Sequence, residues 1–274
     1  MNMSILWISV VTFAATTLAI SSEFPIVAMR EVGTWPKEED LSPDNERRHL
    51  SDVKVVDHHA FLLSYRGFSV IDVSTPSKPV AIKHIETGFN PVELELLENE
   101  AFVLNQHKLI IIDISVPEEA SILHEVALKN PASALAVSNE LALVASREQG
   151  LWAIDIRTGT IHEGAGDTEK IMVNDIVAMG TTAYVIEKKR PLTDEFFLPR
   201  LDLSDIDRLG YSKGQRIRWG TTARRLYRAG DYVYVGGSGG YPNRLLENDV
   251  ASLDIYQIGD EDEPQYMGRS AGAT

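Results

Sequence analysis

Short runs of alternating apolar and polar residues fill most of the chain after residue 50, and clusters of turn residues separate them. Residues 68–74 (FSVIDVS) recur as residues 109–115 (LIIIDIS) and, in looser form, around Asp155, Asp202 and Asp254. A period of two residues between turn signals is typical of β-strands, and no segment shows a convincing helical period. The pattern therefore predicts a chain built from short strands.

The aspartates of these segments recur at intervals of 41, 42, 47 and 52 residues. Each interval holds four strand-like runs, as in residues 53–56, 60–63, 68–73 and 79–85. Four strands per unit are typical of a propeller blade, and a sheet of this size must stack on its neighbours to bury both faces. We predict an all-β fold, a β-propeller of about five four-stranded blades that occupies residues 51–274.

The turns after the first two aspartates carry a family resemblance. Residues 71–79 (IDVSTPSKP) and 112–117 (IDISVP) resemble the LVIVD-repeat proteins, and the resemblance extends over about residues 51–268. It is specific in the first two copies, moderate in the third and degraded in the last two. It implies a propeller-like, exported, mostly bacterial kind of protein, and it implies fold far more strongly than activity.

The N-terminus has the features of a signal peptide. No charged residue precedes Glu23, residues 5–20 are mainly apolar, and Ala19-Ile20-Ser21 fits a cleavage site before Ser22. The apolar run is shorter than the roughly 20 residues that span a bilayer. We predict a signal peptide over residues 1–21, with an uncleaved anchor or a buried helix as alternatives. The mature chain is expected in the periplasm, outside the cell or at its surface, without a stable membrane span.

Residues 22–50 are predicted to form an N-terminal strand followed by a polar connection. Residues 25–30 (PIVAMR) match the fourth strand of a blade, which begins at Pro79 in the first unit. Five units and one extra strand do not divide evenly. The strand either replaces the short one at residues 265–267 or lies on an outer edge, and both alternatives stay open.

Composition excludes several classes of function. The chain carries a formal charge of −14 and has no cysteine. An acidic chain disfavours nucleic acid as a partner, because phosphate neutralisation dominates that affinity. The absence of cysteine excludes disulfides, thiolate catalysis and cysteine-ligated metals. The seven histidines lack a metal-ligand spacing, and no serine elbow, Walker loop or dinucleotide fingerprint is present. We predict neither a cofactor nor a metal site.

The five repeat aspartates allow two interpretations. A ring of carboxylates can bind a cation in a central channel. An aspartate two residues before Ser or Thr instead suits a turn in which its carboxylate accepts backbone N–H groups. We favour the structural role for all five residues, which are Asp72, Asp113, Asp155, Asp202 and Asp254.

Repeats four and five predict a binding face. Both gain length between corresponding strands, in residues 187–200 and 236–249, and insertions at equivalent places emerge on the same face. An acid-free basic stretch at residues 213–228 lies nearby; it is either a solvated edge or a site for an anionic partner. Phe196 and Phe197 are placed on the same face, with the alternative that they fold their loop back on the blade. The candidate binding residues are Lys188, Lys189, Arg190, Arg218, Trp219, Arg225, Tyr241 and Arg244.

Two functions remain. We favour a non-catalytic exported propeller that binds a protein, a glycan or an anionic cell-surface component. The alternative is a propeller hydrolase or lactonase that uses a metal in the central channel. An enzyme would require several carboxylate, Asn or His groups from different blades to converge at the axis. The sequence shows no unmistakable set of that kind.

Overall fold

The structure is a computed structural model, and all structural statements below concern the part of the chain that it describes. The described residues are 50–65, 67–88, 91–146, 150–165, 171–189, 196–205, 210–211, 214–217, 222–239, 250–259 and 263–271. The predicted signal peptide and the predicted N-terminal strand lie outside these ranges.

The first three repeats fold into antiparallel sheets of four strands each, in which consecutive strands pair. Blade 1 contains β1 (Leu50–Val56), β2 (His59–Ser64), β3 (Gly67–Asp72) and β4 (Val80–Ile85). Blade 2 contains β5 (Pro91–Leu97), β6 (Glu100–Asn105), β7 (Lys108–Asp113) and β8 (Ser121–Ala127). Blade 3 contains β9 (Ala134–Ser138), β10 (Leu141–Ser146), β11 (Gly150–Asp155) and β12 (Ile161–Ala165).

The last two repeats keep the same order with longer second strands. Blade 4 begins with β13 (Ile171–Met179) and β14 (Thr182–Lys189). Its third strand is split into β15 (Phe196–Leu198) and β16 (Arg200–Asp202), and its fourth into β17 (Gly210–Tyr211) and β18 (Gln215–Arg216). Blade 5 contains β19 (Thr222–Ala229), β20 (Tyr232–Gly239), β21 (Val250–Gln257) and β22 (Gln265–Ala271). Together the five sheets confirm the predicted all-β propeller architecture.

Apolar cores between successive blades hold the sheets together. Phe61 and Phe68 of blade 1 pack with Ile110 of blade 2, and Trp152 of blade 3 packs with Phe102 of blade 2. Two further cores join blade 3 to blade 4 and blade 4 to blade 5. Alternation along each strand sends successive side chains to opposite faces, so that the sheets of blades 2, 3 and 4 each contribute to two of these cores.

No helix among the described residues is long and apolar enough to cross a membrane.

Candidate functional site

A single position of the innermost strand carries a charged residue in four of the five blades. It is Asp52 in β1, Glu93 in β5, Asp175 in β13 and Arg225 in β19, and Ala134 occupies it in β9. In the four charged cases a β-bulge precedes the residue, which increases the local twist and re-aims its side chain. The repeat therefore places four charged groups from different blades at the same position of the inner strands.

Each of the three acidic members connects its own blade to the following blade. Asp52 Oδ2 accepts the backbone N–H of Leu94 at 3.0 Å, and Glu93 Oε2 accepts that of Leu135 at 2.7 Å. Asp175 Oδ2 accepts the N–H of Leu226 at 2.6 Å. The donor in each case is the residue after the equivalent position in the following blade. One carboxylate oxygen of each residue is thus used to fix the side chain between two blades.

Arg225 brings two of these carboxylates together. Its Nη1 donates to Glu93 Oε1 at 3.0 Å and lies 3.9 Å from Asp175 Oδ1. The two carboxylate side chains are 11% and 3% exposed, whereas the arginine side chain is 65% exposed. The three residues belong to blades 2, 4 and 5. We call this group the axial cluster: a buried pair of carboxylates beneath an exposed guanidinium.

The axial carboxyl groups have strongly shifted acidities. Burial raises the pKa of Glu93 to about 8, and the nearby Asp175 carboxylate adds to the rise; the Leu135 N–H and Arg225 oppose it. Burial raises the pKa of Asp175 to about 6, against the opposing effects of the Leu226 N–H and Arg225. Two buried carboxyl groups with separated pKa values are a feature that functional sites share with structural charge networks.

Other polar contacts between inner strands surround the axial cluster. Lys54 Nζ donates to Glu95 Oε1 at 2.8 Å between blades 1 and 2. Asn174 Nδ2 donates to the carbonyl of Ala223 at 3.1 Å between blades 4 and 5. Within the described residues, no group of three His, Asp or Glu side chains is arranged to hold a metal ion.

The axial cluster lies toward the end of the propeller that carries the predicted insertions. Its members lie near the start of the first strand of their blades. Because consecutive strands run in opposite directions, the hairpin that joins the second strand to the third lies at this same end of each blade. Here β14 and β20 are eight residues long, against six in β2, β6 and β10. We call this end the hairpin face.

The structure describes only part of the predicted binding set. Lys188 lies on β14, with its Nζ 5.5 Å from the centroid of the Phe196 ring. The backbone of Lys189 ends β14, and Arg225 belongs to the axial cluster. The remaining candidates, Arg190, Arg218, Trp219, Tyr241 and Arg244, lie outside the described residues.

Two features of the predicted face require correction. Phe196 is 5% exposed and packs in the core between blades 4 and 5, so it does not form part of an open surface. Arg225 lies within the acid-free stretch of residues 213–228, but in the folded chain it contacts Glu93 of blade 2 and Asp175 of blade 4. These contacts could not be predicted from the basic stretch, because the two acids belong to repeats that lie far from Arg225 along the chain.

Glu93 and Asp175 are the site residues that sequence reasoning missed. A signal for them was present: Glu93 follows Asp52 by 41 residues, Asp175 follows Glu93 by 82, and a Val, Leu or Ile comes directly after each. The period that placed the turn aspartates places this second set as well. The acids were overlooked because they stand inside alternating strand segments.

Four of the repeat aspartates form turns. Asp72, Asp113 and Asp202 accept the backbone N–H two residues later at 2.8–3.0 Å, and Asp155 accepts those of Arg157 and Thr158. The donated backbone hydrogen bonds lower the pKa of these four partly exposed carboxyl groups. They lie at the ends of third strands, away from the axial cluster.

Asp254 differs from the predicted turn role. The residue that pairs with the first residue of the second strand is Asp72 in blade 1 and Gln257 in blade 5. Asp254 therefore stands three residues earlier, inside β21, where it is fully buried. Both of its oxygens pair with Arg269, at 2.6 Å to Nε and 2.8 Å to Nη2. The apolar-Asp-apolar pattern alone did not distinguish these two registers.

Comparison with known families supports the resemblance inferred from the repeats. The LVIVD repeat family matches residues 47–87, the segment that contains blade 1. No curated protein matches the chain at a significant level.

Solved structures share the fold at low sequence identity. A functionally unknown protein from Desulfotomaculum acetoxidans DSM 771 superposes with a TM-score of 0.59 and 12% identity, over 81% of this chain and 70% of that one. The N-terminal domain of Nup159 gives 0.52 and 10%, and Kluyveromyces lactis Hsv2 gives 0.51 and 10%, both over 81% of this chain. The match covers 62% of the Nup159 domain and 73% of Hsv2. These similarities place the chain among β-propellers, and the first blade carries an LVIVD repeat.

Proposed function

We propose that this protein is a non-catalytic, exported β-propeller that binds a protein, a glycan or a cell-surface component through its hairpin face. The observation that carries the proposal is the shared position of two features: the long hairpins of blades 4 and 5 and the exposed Arg225 guanidinium of the axial cluster. Loops on a rigid scaffold are common sites of recognition, and exposed arginine forks suit carboxylate and sulfate groups.

The hairpin of blade 5 allows a direct test. Gly239 and Val250 face each other across β20 and β21, so a two-residue Asn-Gly turn can replace residues 240–249 without a change of register. The replacement removes Tyr241 and Arg244, two of the predicted binding residues. Binding to immobilised heparin and polygalacturonate is measured by biolayer interferometry, with melting temperature as the check on folding.

We expect the parent to bind at least one of these polyanions and the shortened variant to bind at least tenfold more weakly at an unchanged melting temperature. Lys78→Ala is the control, because Lys78 is exposed in the loop between β3 and β4 at the opposite end of the propeller. Equal binding by the parent and the shortened variant would contradict a role for the hairpin of blade 5.

One observation favours the second candidate, a hydrolase or lactonase. Glu93 and Asp175 come from different blades and have separated pKa values, which suits general acid and base roles. Lactone hydrolysis by the full chain, with and without added Ca²⁺ or Zn²⁺, tests this candidate. Turnover that Glu93→Gln and Asp175→Asn both abolish would favour the enzyme, and the absence of turnover would leave the binding function as the better account.

A further inference from the structure

Arg225 is held from one side. Its Nη1 donates a hydrogen bond to Glu93 and forms an ion pair with Asp175. No described residue accepts a hydrogen bond from its Nε or Nη2. Most of the side chain is exposed. A guanidinium that is anchored at one nitrogen keeps a planar edge of donors for a second, external acceptor. The geometry therefore leaves an oriented anion-binding edge at the hairpin face.

The two carboxylates beneath Arg225 are fixed in place. Glu93 Oε2 and Asp175 Oδ2 accept backbone N–H groups of the next blade, at 2.7 and 2.6 Å. They cannot follow the arginine outward without breaking these bonds. The protonation of the pair therefore changes the charge beneath Arg225 while its position stays the same.

The charge of the axial cluster follows from these acidities. When both carboxyls are ionised, the cluster carries a net charge of minus one. Because the pKa of Glu93 is raised to about 8 and that of Asp175 to about 6, protonation of Glu93 first makes the cluster neutral, and protonation of Asp175 then makes it positive. Lowering the pH thus removes the negative charge that competes with an external anion.

The neighbouring strands carry other charges of both signs. Glu95 of β5 raises the pKa of both axial carboxyls, and it pairs with Lys54 of β1. His59 and Glu100 begin their strands at the opposite end of the propeller. The described residues of β9, β10 and β20 carry no charge. The remaining charged residues on the strands that pack around the cluster are Asp52, Asp155, Glu187, Lys188, Lys189, Arg224 and Arg228.

We propose that Arg225 is a proton-gated binding group for the carboxylates of an acidic polysaccharide, closed while Glu93 and Asp175 are both ionised and opened as they take up protons. The inference rests on the proposed binding function of the hairpin face and specifies its ligand chemistry and its regulation. A carboxylate is planar and accepts two parallel hydrogen bonds, which matches the free edge of the guanidinium.

Polygalacturonate binding to the full chain at pH 9 and pH 6 tests the gate. Its uronate groups stay ionised at both values, so the titrating groups belong to the protein. We expect binding at least tenfold tighter at pH 6, because protonation removes a unit negative charge close to the bound carboxylate. Glu93→Gln, which is neutral at both values, is expected to bind tightly at pH 9 as well. Arg225→Gln is expected to lose the binding at both.

A matched control distinguishes the local effect of Glu93 on Arg225 from the effect of a lower net negative charge on the whole protein. Glu125 pairs with Lys108 at 2.9 Å on the outer strand of blade 2, so Glu125→Gln removes the same charge far from Arg225. It is expected to keep the full pH dependence. The parent could bind equally tightly at pH 9 and pH 6 while Arg225→Gln loses the binding. That result would overturn the gate and leave the proposed function intact. Absence of polygalacturonate binding at both values would overturn the ligand class, and the hairpin test with heparin would then decide the proposed function.

Discussion

Single residues acquire their chemistry from the blade contacts around them. Glu93 and Asp72 are both acidic residues of β-strands, yet burial among carboxylates raises the pKa of Glu93 to about 8, whereas the Ser74 N–H lowers that of the partly exposed Asp72. The difference lies in which groups each carboxylate meets. Asp72 has a local partner two residues away, and Glu93 meets residues of three other blades.

The raised acidities predict that stability falls as the pH rises. The unfolded chain releases the Glu93 proton near pH 4.5, but the folded chain keeps it to about pH 8, so the free energy of unfolding decreases as the pH rises between these values. Asp175 acts in the same direction between about pH 3.8 and 6. We expect the melting temperature to fall from pH 5 to pH 8 and Glu93→Gln to flatten the fall. Parallel curves for parent and variant would show that Glu93 does not titrate in this range, with Glu125→Gln as the control.

Local side-chain chemistry could be predicted from the sequence, and long-range chemistry could not. Asp-x-Ser motifs such as Asp72 and Asp113 hold their hydrogen-bond partners within two residues. The partner of Asp254 is Arg269 on the neighbouring strand, so only the pairing register reveals it. The same is true of Arg225, whose acidic partners come from β5 and β13.

At the level of the strands and turns, the same tight turn joins the first two strands of every blade. Its first loop residue has a positive φ in each case, at Asp57, Glu98, Asn139, Gly180 and Gly230. Only two of these residues are glycine, although a residue with a Cβ is disfavoured in this conformation. Each non-glycine residue therefore carries a local cost that the surrounding hairpin offsets.

Exchanging residues in this turn tests the strain. Glu98 has φ 53°, and Glu98→Gly is expected to raise the free energy of unfolding by about 0.5 kcal/mol. Gly180 has φ 58° with no atom within 4 Å of an added Cβ, so Gly180→Ala is expected to lower it by about 1 kcal/mol through backbone strain alone. Urea denaturation measures both changes. A destabilised Glu98→Gly would indicate that the Glu98 side chain supports the hairpin.

The strand order could be predicted because it follows from the repeat period, which is visible in the spacing of the aspartates. The split of the third strand of blade 4 was not predicted; it falls at Pro199, which lies between β15 and β16, and both of these strands pair with β14. Proline has no N–H to donate to a strand pairing. The insertions predicted at residues 187–200 and 236–249 overlap the ends of β14 and β20, and nothing in the sequence indicated that these strands would extend into them.

At the scale of the whole molecule, four apolar cores join five blades. Among the described residues, no core cluster links blade 5 to blade 1. Val53 of β1 is 41% exposed, whereas its counterparts Leu94 and Leu135 are fully buried against the preceding blade. The contact between Arg225 of β19 and Glu93 of β5 is a polar link between blade 5 and blade 2.

The most direct test of this account is a double-mutant cycle on Glu93 and Arg225, which lie 132 residues apart in the sequence. Free energies of unfolding are measured for the parent, Glu93→Gln, Arg225→Met and the double variant at pH 9 and pH 6. We expect a coupling of about 1 kcal/mol at pH 9, where Glu93 is ionised, and a smaller one at pH 6. Additive effects at both pH values would contradict the axial cluster and, with it, the placement of blades 2 and 5.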